Sequence, residues 1–140
     1  MAENQENSVS LNNENCILLS NYSLDPGHTL YLHHSDNPNC GLTNELLTGR
    51  NYAQWRRSCE VSLSAKNKMS FVTRDYPKPS NDSPYLPLWE RCNSMVISWL
   101  LHSVSKDIAS SIICTPTAQQ IRQDLSQRFS FGQGTKIYQL

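Results

Sequence analysis

The strongest constraint on the fold of this chain is an apolar stripe in its second half. Trp89, Cys92, Val96 and Trp99 follow one another at steps of three and four residues, which is the spacing of one face of an α-helix. The stripe is widened by three neighbouring apolar residues, Leu88, Met95 and Leu100. It predicts a helix over about residues 88–103 at the centre of the core.

An earlier helix is predicted to begin after Thr48-Gly49, with Asn51 as its N-cap. Its apolar face consists of residues at helical spacing, Tyr52, Trp55, Cys59 and Leu63. Lys66-Asn67-Lys68 ends it. The following stretch, residues 77–87, contains four prolines and is predicted to be a loop, because proline breaks a helix interior.

Two shorter helices are predicted after residue 103. Ser105 is the expected N-cap of the first, whose apolar residues are Ile108, Ile112 and Ile113 and which ends before Pro116. Thr117 and Gln120 have the spacing of a capping box for the second, with inward residues Ala118, Ile121, Leu125 and Phe129 and an end at Gly132 and Gly134. Residues 135–140 begin a further helix that the sequence does not complete.

The first part of the chain is predicted to be less ordered. Residues 1–24 form an acidic tail rich in Asn, Glu and Ser and are expected to be disordered. Leu30-Tyr31-Leu32 lies between two turn signals and indicates a short strand or an extended arm. The fold class is therefore mainly α: about four helices plus a truncated fifth in one domain, residues 25–140. Its expected core includes Tyr52, Trp55, Trp89, Trp99, Leu125 and Phe129.

Charge is unevenly distributed although the net charge is zero. Residues 1–49 contain six acidic side chains and no Lys or Arg, whereas residues 50–80 contain seven basic and two acidic side chains. The basic stretch is a candidate RNA contact, with Tyr52, Trp55 and Tyr76 as candidate stacking groups. Alternatively, the cations belong to a solvated helix face that binds no RNA. Tyr52 and Trp55 would then be core residues rather than stacking groups. The candidate contacts are Arg50, Arg56, Arg57, Lys66 and Lys68.

The sequence contains no recognisable pattern of catalytic or cofactor-binding residues. No nucleophile, base or carboxylate pair forms a grouping, so we expect no enzyme, no small-molecule substrate and no cofactor. His33, His34 and Cys40 fall short of the four ligands of a structural zinc site. The Gly132–Gly134 pair lacks the first glycine of a phosphate loop. Five widely spaced cysteines and the lack of an apolar span indicate free thiols and a cytoplasmic protein without membrane contact.

A series of short motifs supplies a family resemblance over residues 30–140. The most specific are Leu47-Thr48-Gly49 with Asn51-Tyr52 and Trp55, then Trp89, Asn93, Ser98-Trp99-Leu100 and Ile137-Tyr138-Gln139-Leu140. This order resembles the N-terminal domain of Copia-type retrotransposon Gag proteins of plants. The resemblance implies a helical, capsid-type protein that self-associates and packages the element's RNA, without catalysis. The alternative is a domesticated or relic helical module that binds a host protein or nucleic acid.

Overall fold

The computed structural model describes residues 24–130 of the chain. Five helices occur in this part, α1 Tyr52–Ala65, α2 Ser70–Thr73, α3 Leu86–Leu101, α4 Lys106–Ile112 and α5 Ala118–Leu125. A π-helical turn, Ser126–Ser130, continues α5. The described residues are mainly helical and contain no strand, which confirms the mainly α prediction. Residues 1–23 of the predicted tail, the stop at Gly132 and Gly134, and the helix start at 135–140 lie outside the described residues.

The two longest helices place their apolar stripes in one core. The buried residues of α1 are Tyr52, Trp55, Cys59 and Leu63, and those of α3 are Leu88, Trp89, Cys92, Asn93, Val96, Trp99 and Leu100. Helix α3 begins two residues before the predicted start and has Pro87 in its first turn. Proline is tolerated there because the first N–H groups of a helix have no intrahelical acceptor. Helix α5 packs against α2 and α3, and the π-helical turn packs against α1.

Of the three predicted helix caps, two make a side-chain hydrogen bond to their helix and one does not. The side chain of Ser105 accepts from the Ile108 N–H at the start of α4, and that of Thr117 accepts from the Gln120 N–H at the start of α5. The Asn51 side chain makes no cap bond to α1. It holds the preceding turn instead: its Oδ1 accepts from the Thr48 N–H at 3.1 Å, and its Nδ2 donates to the Leu46 carbonyl at 2.9 Å.

Several local features differ from the sequence prediction. Helix α2 was not predicted, because four residues are too few for a helical period to be recognised. It lies between two residues with positive φ, Asn67 at 58° and Arg74 at 76°. Ile113 lies beyond the end of α4 and is 62% exposed. Phe129 lies in the π-helical turn and is half-buried; its ring centroid is 6.4 Å from that of Tyr52.

Residues 24–47 form an arm of successive turns over the helices, without a strand at Leu30–Leu32. Its Leu30, Leu42 and Leu47 are buried in the core. Side chains of α3 and of the connection between α1 and α2 hold its carbonyl groups by hydrogen bonds. The donors and acceptors are Lys68 Nζ to Tyr31 O at 2.8 Å, Cys92 Sγ to Leu30 O at 3.2 Å and Trp99 Nε1 to Asn37 O at 2.8 Å. The arm is therefore fixed by side-chain donors rather than by a β-ladder.

The end of the arm is joined to the turn between α3 and α4 at Ser103. Leu47 and Val104 form an isolated parallel bridge, in which the Leu47 N–H donates to Ser103 O at 3.0 Å. Ser103 is fully buried. Its carbonyl also accepts from Trp55 Nε1 at 2.7 Å, and its hydroxyl accepts from the Leu42 N–H at 2.7 Å. These contacts connect the arm, α1 and α3 in one structural unit.

The buried thiol of Cys59 gives the core a pH dependence. Burial, together with the nearby Glu60 charge, raises the pKa of this thiol from 9.0 to about 12. The unfolded chain releases the thiol proton above pH 9, whereas the folded chain keeps it. The stabilisation is therefore fully present below pH 9 and is lost as pH rises toward the folded pKa, by about 1.4 kcal/mol per pH unit at most.

We expect Cys59→Ala to be less stable than the natural protein at pH 8, with a difference that becomes smaller between pH 9 and pH 11. Urea unfolding at a series of pH values measures this difference. Cys114→Ala is the control, because Cys114 is exposed and its removal leaves the core unchanged. A Cys59→Ala difference that stays constant from pH 8 to pH 11 would contradict the burial effect.

Candidate nucleic-acid interface

The basic residues of α1 lie on its outward face. Arg56 and Arg57 are exposed, but Arg56 Nε lies 2.9 Å from Glu60 Oε1 in an i,i+4 ion pair. Arg50 is exposed in the turn before α1. An exposed pair of this kind has a small interaction energy and leaves Arg56 able to exchange partners. Arg50, Arg56 and Arg57 are therefore accessible cations, and Arg56 has a carboxylate partner in Glu60.

The two lysines after α1 face the protein rather than the solvent. Lys66 Nζ lies 3.7 Å from Asp36 Oδ1 and 4.8 Å from the ring centroid of Trp99. Lys68 is only 1% exposed, and its ammonium donates to Tyr31 O. Burial lowers the pKa of Lys68. The prediction that Lys68 contacts nucleic acid is wrong for this structure, because a buried ammonium cannot reach a phosphate.

The three candidate stacking groups differ in their exposure to solvent. Tyr52 and Trp55 are 4% and 6% exposed, so their faces are not available to a base. Tyr76 is half-buried, and its ring stacks on Phe71 with centroids 5.8 Å apart and an interplanar angle of 12°. Only Tyr76 of these three lies at the surface.

A groove beside Tyr76 brings cations and aromatic rings together. It has a volume of about 290 Å³ and is called the Arg74 groove below. It is lined by residues of α2, the loop after it, α3 and the start of α5: Phe71, Arg74, Tyr76, Pro77, Lys78, Trp89, Thr117, Gln119 and Gln120. Sequence reasoning identified Tyr76 and the basic stretch. It named Gln120 only as part of a capping box and did not connect either glutamine with Tyr76, because they are distant in sequence.

Two other cavities have different chemistry. One of about 30 Å³ lies between α1 and α5 and includes Cys59, Leu63 and Leu125; its volume suffices for about one water molecule. The other, of about 290 Å³, lies between the arm and α1. Its lining includes Glu45 and no Lys or Arg, so a phosphate would be disfavoured there.

The structure places the three candidate metal ligands on the surface of the arm. His33, His34 and Cys40 are exposed on the arm. In the part of the chain from 24 to 130, no group of three or more His, Cys, Asp or Glu side chains could hold a metal ion. Within the same residues, no helix combines the length and the apolar character needed to cross a membrane.

Comparison with protein families gives a match over most of the arm and the first two helices. Residues 33–80 match the Gag-polypeptide of LTR copia-type. The resemblance drawn from the sequence motifs is confirmed over these residues. No curated protein and no solved structure matches the chain. This Gag family is a structural, non-catalytic protein family.

The Gag-matching segment, residues 33–80, includes most of the arm together with α1 and α2. It contains all five cations proposed as nucleic-acid contacts and one part of the Arg74 groove. The rest of that groove, Trp89 and the residues at the start of α5, lies outside the match. The groove therefore joins the Gag-matching segment to the helices that complete its core.

Proposed function

We propose that this protein is a Gag-like structural protein of a retrotransposon, which self-associates into capsid-type assemblies and packages the element's RNA. The observation that supports this proposal is the match of residues 33–80 to copia-type Gag. In the structure this segment shares one core with α3, α4 and α5. The proposed domain extends from residue 25 to 140, because Leu30 of the arm already belongs to the core.

Exposed apolar side chains support the self-association part of the proposal. The large hydrophobic residues exposed in residues 24–130 are Leu46, Val61, Tyr85 and Ile113. They lie on the arm, on α1, before α3 and after α4. A subunit of a closed shell needs more than one contact surface, and apolar residues on several elements are suited to that requirement.

The proposal also concerns RNA and cellular location. The accessible cations of the basic stretch, Arg50, Arg56 and Arg57, would contact RNA phosphates with an affinity that falls as salt rises. The described cysteines, Cys40, Cys59, Cys92 and Cys114, carry free thiols. Free thiols are suited to a reducing compartment, which supports a cytoplasmic protein.

Light scattering on a size-exclusion column, over a series of protein concentrations, tests self-association directly. We expect a mass above the 15.9 kDa monomer that rises with concentration and rises further with RNA. Val61→Asp places a charge on an exposed apolar site of α1 and should lower the mass. Ser64→Asp is the matched control, because Ser64 is an exposed polar residue of the same helix.

A monomeric mass at every concentration, unchanged by RNA, would contradict the Gag-like proposal. It would favour the alternative of a helical module with a host partner. If the natural protein assembles and both variants assemble equally, Val61 lies outside the contact surface while the self-association proposal stands.

A further inference from the structure

We propose that the Arg74 groove binds one nucleotide unit of single-stranded RNA, with its phosphate between Arg74 and Lys78 and its base against Tyr76. This inference rests on the proposed function, in which RNA is a partner. It assigns one nucleotide contact to a defined groove at the end of the basic stretch. The groove volume of about 290 Å³ is near the lower limit of about 300 Å³ for pockets that hold small ligands.

The charge of the groove favours a phosphate. Arg74 and Lys78 are exposed cations on its lining, and no carboxylate is among the lining residues. Lys78 Nζ lies 3.8 Å from Glu90 Oε1, and both side chains are more than half exposed, at 52% and 55%. A pair this exposed is weak, so Lys78 can exchange Glu90 for a phosphate oxygen.

The backbone fixes the position of Arg74 at the end of α2. Arg74 is the C-cap residue of this helix and has a left-handed conformation, with φ at 76°. The chain turns sharply there, so Arg74 and the loop carrying Tyr76 and Lys78 border the same groove. Asp75, between them in sequence, is not part of the lining, and its carboxylate accepts from Thr73 Oγ1 at 2.7 Å.

The aromatic side of the groove is rigid enough to support a base. The ring of Tyr76 stacks on Phe71, whose own ring centroid is 5.7 Å from that of Trp89. Trp89 Nε1 donates to the Tyr76 carbonyl at 3.1 Å, which fixes the loop against α3. Stacking on a tyrosine held in this way requires no ordering of a mobile side chain, and it accepts any base.

The opposite side of the groove offers amide groups to a base edge. Gln119 and Gln120 lie in the first turn of α5. Glutamine amides both donate and accept hydrogen bonds, as the exposed edges of an unpaired base require. Gln119 Nε2 donates to Gln123 Oε1 at 3.4 Å, a long bond between exposed groups that a base edge can replace, and Thr117 Oγ1 accepts from the Gln120 N–H at 3.2 Å.

Binding of a fluorescein-labelled, single-stranded RNA of ten nucleotides to the full chain tests the assignment. Fluorescence anisotropy is measured at several salt concentrations for the natural protein and for Arg74→Gln/Lys78→Gln. We expect the double variant to bind about tenfold more weakly and to have a salt slope lower by about 0.7, the value for one neutralised phosphate on a single strand. Tyr76→Leu should weaken binding about fivefold or more.

The matched control is Arg91→Gln/Lys106→Gln, which removes the same number of exposed positive charges outside both the groove and the basic stretch. Its affinity should fall less than threefold. Glutamine at position 74 needs the same left-handed backbone as arginine, and thermal unfolding followed by circular dichroism checks that each variant is folded. Ultraviolet cross-linking with peptide mapping should place the RNA on residues 71–91 and on the start of α5.

Three outcomes would overturn the groove assignment. In the first, the natural protein binds RNA but Arg74→Gln/Lys78→Gln binds equally well, or the Arg91→Gln/Lys106→Gln control loses as much affinity. In the second, the cross-links map elsewhere. In the third, no RNA binds at low salt but the groove variant changes the mass measured by light scattering, which would make the groove a contact between copies of the chain. Only the third also removes RNA from the proposed function; the first two leave it in place.

Discussion

Replacing Trp99 with alanine should lower the free energy of unfolding by about 3 to 5 kcal/mol, the usual range for deleting a large buried aromatic side chain. Trp99 is fully buried in α3, so the deletion leaves a cavity at the centre of the core. The same change removes the hydrogen bond from Trp99 Nε1 to the Asn37 carbonyl of the arm. Urea unfolding followed by circular dichroism measures the loss.

Trp99→Phe separates the two contributions. Phenylalanine fills most of the space but has no N–H, so we expect a smaller loss, about 1 to 3 kcal/mol, from the smaller ring and the lost hydrogen bond. Hydrogen exchange should then increase in the arm more than in α3. A loss below about 1 kcal/mol for Trp99→Ala would show that this residue is not a core residue in solution.

Replacing Lys68 with glutamate should lower the free energy of unfolding by about 3 to 5 kcal/mol, because it buries an unpaired charge. The Lys68 ammonium is almost fully buried and donates to the Tyr31 carbonyl. A carboxylate at this position would face that carbonyl oxygen without a donor. Thermal unfolding and urea unfolding at neutral pH measure the loss.

Two further variants give this prediction its controls. Lys68→Met keeps an unbranched side chain that is one atom shorter and removes the donor and its charge, so its loss should be about 1 to 3 kcal/mol. Arg57→Glu reverses an exposed charge on α1 and should change stability by less than about 0.5 kcal/mol. Equal losses for Lys68→Glu and Arg57→Glu would contradict the buried position of Lys68.

The sequence was informative wherever a local pattern had enough residues to repeat. The apolar stripes of α1 and α3 each extend over three turns or more, so their period is visible without a structure. Ser105 and Thr117 were recognised as caps because a short polar side chain before an apolar run has one dominant use. Helix α2 was missed, since its four residues contain no period, and its ends depend on two residues with positive φ.

Lys68 and Asn51 show where residue type alone predicts the wrong partner. Lysine is rarely buried, so its sequence position beside other cations indicated an exposed contact. Its burial depends on the Tyr31 carbonyl, 37 residues away in sequence. Asn51 stands at the N-cap position of α1, yet its side chain bonds to the preceding turn. Both choices depend on acceptors and donors whose positions no local pattern specifies.

The sequence by itself determined the helical class, the faces of the two long helices and the resemblance to copia-type Gag. Only the tertiary structure determined the docking of the arm and the composition of the Arg74 groove. The arm is held by side-chain bonds between residues 62 positions apart, such as Cys92 to Leu30. The groove combines α2, α3 and the start of α5. Helical periodicity is a local property of the chain, whereas these contacts form only when distant segments pack around one core.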